Sequence, residues 1–230
     1  MSGAAVSSRG SQALSARSRR LLTCGVVAGP VFVTTFLVEG ATRAGYDPWQ
    51  HPVSSLALGP GGWRQVANFG LAGLLYLGFA TGLAQAEDAP VPSRVGPVLI
   101  GTAAVGLLGS GAFVTDPVGG YPPGTPAISP KYTRAGAGHD LFAVPTFLGL
   151  PAAQLSYAWR FHRTGDRKWA AYSAGSAVAM LAGVAAASIG FSQDPRFVRV
   201  GGLLQRATVI TGFGWLTALA VRSLRTRKPR

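Results

Sequence analysis

Residues 21–38 read LLTCGVVAGPVFVTTFLV, eighteen positions without a charged side chain. A membrane-crossing helix needs about 20 predominantly apolar residues, so this run crosses once its flanks add a turn. Arg17, Arg19 and Arg20 precede it, as they would in a secretory leader. A leader's apolar core is about 7–15 residues, however, and this run is longer, so it reads as a retained first span. Its Gly29-Pro30 pair predicts a kink, which a membrane helix tolerates when neighbours satisfy the freed backbone.

Five further apolar stretches follow within the 230 residues, at Gln65 to Ala86, Val95 to Thr115, His139 to Trp159, Trp169 to Ser192 and Gly201 to Val221. Only 13% of the chain is charged against 48% hydrophobic, about half the charged share of a soluble domain. The expected fold is therefore all-α, an integral membrane bundle of six transmembrane helices. Residues 1–20 are expected to be a disordered basic tail, 21–222 the membrane domain, and 223–230 a second basic tail. Pro151 predicts a bend in the fourth helix, while Pro145 falls in its first turns. The loop GGYPPGTPAISPKY, 119–132, is too rich in proline and glycine for a helix. Ala171, Gly175, Ala179, Gly183 and Ala187 form a small-xxx-small stripe, which predicts a close-packed fifth span at the centre of the bundle.

Net charge is +13, from 21 basic and 8 acidic residues. A nucleic-acid binder would gather that excess on one face. Here 14 of the 21 basic residues fall on the tails and on the second and fourth loops, and 7 on or beside the other three. Excess Lys and Arg on one set of short loops is the positive-inside signature, so nucleic acid is excluded as a partner and both termini are expected in the cytoplasm of a multi-pass cell-membrane protein. Cys24 is the only cysteine, which excludes an intramolecular disulfide and a cysteine-rich metal site.

The remaining polar groups are unevenly placed. On the expected outer side lie Glu39, Asp47, His51, Asp116, His139, Asp140 and Asp194, two of them, Asp47 and His51, in the loop YDPWQHPVSSLALGP, 46–60. Ionisable groups at membrane depth are costly, and a cluster of them marks a candidate site. His51, Asp116, His139 and Asp194 are the candidate catalytic residues. Glu39, Asp47, Ser54, Gln65, Asn68, Gln205 and Arg206 are candidate ligand-binding residues. Asp140 is accounted for by the favourable field at a helix start. Imidazoles and carboxylates are zinc ligands by type, yet no HExxH spacing is present, so neither a metal nor a cofactor is assigned. Two echoes run through the chain. Phe113-Val-Thr-Asp116-Pro117 matches Phe191-Ser-Gln-Asp194-Pro195, and GGWRQVAN at 61–68 matches GGLLQRAT at 201–208, as three repeated helical hairpins would show.

GVVAGPVF, Glu39-Gly40, YDPWQHPVSSLALGP, GGWRQVANFGLAG, PPGTP and HDLFA together resemble the bacterial membrane family called domain of unknown function 998, over about residues 21–222. The resemblance implies a six-span integral membrane protein and supplies no catalytic residue. The functional expectation is thus a polar site at the outer helix ends, acting as an enzyme on a lipid or other apolar small molecule. The alternatives are a small transporter or channel, or a non-catalytic structural or regulatory membrane protein.

Overall fold

The structure is a computed structural model that describes residues 15–85, 93–128 and 131–225. Most of the expected basic tail 1–20, much of the turn between spans two and three, and the last five residues lie outside the described residues. Among the described residues, six helices are long and apolar enough to cross a membrane: span one is Ala16–Thr42, two Trp63–Gln85, three Val95–Ala112, four Arg134–Arg163, five Arg167–Phe191 and six Gly201–Arg225. The protein is an integral membrane protein, all-helical among the described residues.

Helix boundaries differ from expectation where polar side chains act as caps. Span one begins five residues before Leu21 because the Ser15 side chain accepts the Ser18 backbone N–H. Span four begins at Arg134, five residues before His139, because the Thr133 hydroxyl accepts the Gly136 N–H. Span three stops at Ala112, and Phe113 is already extended. Residues 145–149 form a wide π turn inside span four, between the two prolines. Each proline removes one backbone donor, and the helix relaxes into the wider turn instead of breaking.

Consecutive spans pack side by side, and span six closes onto span one, giving a ring of six helices. Half of the ring's interior is filled. On the side of the termini, Trp215, Tyr157, Phe161 and Leu150 are all under 4% exposed. Trp215 donates its indole N–H to Ser173 Oγ on span five, 3.0 Å away, which accounts for a polar aromatic in mid-helix. Phe32, Phe69, Tyr76 and Phe213 continue the packing toward the middle, with ring centroids 5.0–5.5 Å apart between neighbours. The opposite half, under the three long connections, keeps a cavity.

Span five is not central. Of its most apolar stretch 28% is buried, against 56% in span three. Ala171, Gly175 and Ala179 of the small-residue stripe face outward, and only Gly183 and Ala187 turn inward, Gly183 against Thr208 of span six. The four-residue period is real, but alanine and glycine suit a lipid-facing surface as well as a helix contact.

A loop knot and an open cavity

Two polar assemblies occupy the long-loop face. The first is built by the 46–60 loop. It folds back between spans one and six, and His51 is its pin. Its Nδ1 accepts the Asp47 backbone N–H at 2.8 Å, and its Nε2 donates to the Gly119 carbonyl at 3.1 Å, tying the first long loop to the second. Both ring nitrogens are thereby used. Burial lowers the His51 pKa below the usual histidine value, with the Gly119 carbonyl and Asp47 pulling the other way.

Arg206 of span six lies beneath this loop and is 5% exposed. It donates to the His51 and Gly202 carbonyls at 3.0 Å and to the Tyr46 hydroxyl, and its guanidinium lies over the Tyr46 and Phe36 rings. Tyr46 in turn donates toward the Pro52 carbonyl at 2.8 Å. Burial pushes its phenol up to about 12 despite Arg206. The Gly-Gly echo has a physical reason here. A Cβ on Gly62 would sit 2.1 Å from the Ala57 carbonyl oxygen, and one on Gly202 would sit 2.5 Å from that of His51. Both glycines let the loop backbone lie against a helix start.

The other loop-side candidates are structural partners too. Glu39 is paired with Arg43 at 2.6 Å and Arg64 at 3.1 Å, and Arg43 also donates to the carbonyls of Leu58, Pro60 and Gly61. Asp47 accepts the Trp49 N–H. Asn68 joins the Gln65 side chain to the Phe32 carbonyl of span one.

The second assembly is the cavity, about 410 Å³, lined by residues of all six spans and by the ends of the first two long loops. That size suits a small molecule or one chain of a lipid. Its rim is polar, with Ser54, Asp116, Lys131, Tyr132, Asp140 and Gln205; its depth is apolar, with Leu107, Phe147, Val184, Val209 and Phe213. Gln205, Val209 and Phe213 lie on one face of span six, so the cavity runs about 12 Å down that helix.

His139 also lines this cavity and is 5% exposed. Its Nδ1 faces two carbonyls at the end of span three, Ser110 at 3.1 Å and Phe113 at 2.9 Å, and so must be the donor. These are helix-end carbonyls without helical partners, and the imidazole caps them. In the neutral ring Nε2 then carries the lone pair, and no described residue's hydrogen bond reaches it. Phe69 meets the ring edge-on at 6.2 Å.

The cavity thus gathers His139, Asp116, Ser54 and Gln205 from the expected set. Gln205 is partly committed, its Oε1 accepting the Val53 N–H at 2.7 Å. Asp116 is engaged with Thr133, accepting its N–H at 2.8 Å and its hydroxyl at 2.7 Å, which fastens the start of span four. His51 and Asp194 stand apart from the cavity lining. Asp194 is bound to Arg196 two residues on, at 2.9 Å. Among the described residues, no three His, Cys, Asp or Glu side chains lie close enough to share a metal ion.

Sequence reading passed over Asp140. Because span four begins at Arg134, Asp140 lies in its second turn, beyond the reach of the helix-start field, and the Tyr132 hydroxyl donates to it at 2.8 Å. Its adjacency to His139 was the available signal.

Fold and cavity define a class, a six-span membrane protein whose helix ring encloses a pocket reached from one face. The chain belongs to the family described as Protein of unknown function (DUF998), whose profile matches residues 26–222. No curated protein and no solved structure matches it.

Proposed function

We propose that this protein takes an amphipathic, lipid-like molecule into the cavity, with its chain in the apolar depth and its head at His139. The observation that carries this reading is the gradient of the cavity wall, polar at the rim and apolar below, with one imidazole nitrogen left as an acceptor beside it. A hydroxyl or amine on the head would donate to His139 Nε2, and Asp140 and Ser54 would hold the remaining polar atoms. The same nitrogen is placed to take that group's proton, which makes the site competent for acid–base chemistry on a lipid head. The basic excess on the tails and short loops supports placing both termini in the cytoplasm and the cavity mouth on the outer face of the cell membrane.

The test separates the two nitrogens of His139. His139→Asn keeps an N–H near the Nδ1 position, and with it the clamp on span three, while removing Nε2. Wild-type protein in nanodiscs doped with a photoactivatable lipid should crosslink at Phe147, Val184 or Val209. His139→Asn should retain its melting temperature and lose labelling at least tenfold, equivalent to about 1.4 kcal/mol. Labelling confined to the outer helix surfaces, or unchanged in His139→Asn, would overturn the reading.

A further inference from the structure

Spans four and five part along one wall of the cavity. The first half of span four, Arg134–Val144, packs along span three, whereas the second half, Leu150–Arg163, packs along both span three and span five. No sustained packing joins the first half to span five. The two helices therefore diverge above the π turn at residues 145–149. Local chemistry holds them apart. Phe142 stacks on Phe113 at 5.6 Å with the rings 11° apart, and Thr146 donates to the Ala103 carbonyl at 3.1 Å, so the first half leans on span three. Pro145 and Pro151, by withholding two backbone donors, make the wide turn that allows the lean.

The cleft so formed has cavity-lining residues on both banks, Ala143 and Phe147 on span four, Val184 and Ser188 on span five. Ser188 lines the cavity and is itself exposed. Outside the cleft, span four shows Leu141, Val144 and Leu148, 50–68% exposed and uncharged, as surface facing hydrocarbon should be.

We infer that the cleft between the first half of span four and span five is a lateral portal, through which the acyl chain of a bilayer lipid passes from the adjoining leaflet into the cavity. The inference rests on the proposed lipid site and adds its supply: the ligand is a membrane lipid that never leaves the bilayer, and its head slides along the rim to His139 while its chain crosses the cleft. Span four's π turn is the hinge that keeps the portal open.

The experiment closes the cleft. With Cys24→Ser removing the only native thiol, Ala143→Cys and Val184→Cys are joined by a flexible bis-maleimide after purification into nanodiscs. The nanodiscs are doped with a diacyl lipid carrying a photoactivatable group on one chain. Joined protein should show at least a tenfold loss of labelling at Phe213 and Val209 relative to the same double-cysteine protein left unjoined. Ser188→Trp, on the exposed bank, should lower the labelling at least fivefold without the linker. Undiminished labelling in both closed forms would overturn the portal while leaving the lipid site standing, the lipid then entering from the mouth. Absence of cavity labelling even in the open protein would remove the site itself, and the portal with it.

Discussion

His51 and His139 lie on the same face of the same bundle, and both are nearly buried, at 6% and 5% exposure. Their surroundings make them opposites. His51 spends both ring nitrogens on backbone groups of two loops, whereas His139 spends one on the end of span three and leaves the other at the wall of a cavity. A fully satisfied polar network specifies one conformation, and an acceptor left over beside a cavity is available to a ligand. The comparison teaches that burial and residue type do not separate the two histidines; the ring nitrogen left without a donor does.

The sharpest way to test that division is to remove the group beneath the knot. Arg206→Leu takes away a buried guanidinium that holds the His51 carbonyl of the loop, the Gly202 carbonyl of its own helix and the Tyr46 hydroxyl. Buried hydrogen bonds to a charged donor are worth about 1.5–3 kcal/mol each, partly offset here because a buried charge no longer has to be desolvated. A net loss of about 2–4 kcal/mol is expected, seen as a clear fall in the melting temperature of detergent-purified protein. Lipid labelling per folded molecule should change far less. If Arg206→Leu melted like wild type, the knot would not be a structural unit.

The spans were legible in the chain because hydropathy is set by composition along about 20 residues and needs no partner. Boundaries were not, since they depend on side chains far apart in sequence. Span four starts at Arg134 because Thr133 caps it, and Thr133 is held by Asp116, seventeen residues earlier. The polar residues of the long-loop face were legible as a population. Their division into knot and cavity was not, because it turns on where a loop folds back. Nothing in the local sequence of His51 announces that Gly119 will reach it. The stripe of span five shows the same limit: its period can be read, but which side it faces is settled by neighbours.

The knot should also respond to acid. His51 has its pKa depressed by burial, so the neutral ring is favoured in the folded state. Its contribution to stability is therefore fully present above the unfolded histidine value of about 6.5, and is lost as pH falls from there through the lowered folded value. Protonation would put a hydrogen on Nδ1, which faces the Asp47 N–H. Melting temperature should decline on that acid limb, and His51→Phe should flatten the limb while lowering stability at neutral pH. An unchanged acid limb in His51→Phe would assign the pH response to another group.

The smallest effect is expected at Asp194, and it tests how far sequence likeness carries. Asp116 and Asp194 close the same Phe-x-x-Asp-Pro pattern at the ends of spans three and five. Asp116 reaches across to Thr133 and so builds the cavity rim; Asp194 reaches only Arg196, whose side chain is 75% exposed. Arg196 hydrogen bonds hold the Asp194 carboxyl below the usual carboxylate range, but with so exposed a partner that shift carries little stability. Asp194→Asn should therefore melt with wild type and label with lipid as wild type does. If lipid labelling fell with Asp194→Asn, this turn would belong to the site after all, and the line drawn between the closed knot, the open cavity and a solvent-exposed turn would have to move.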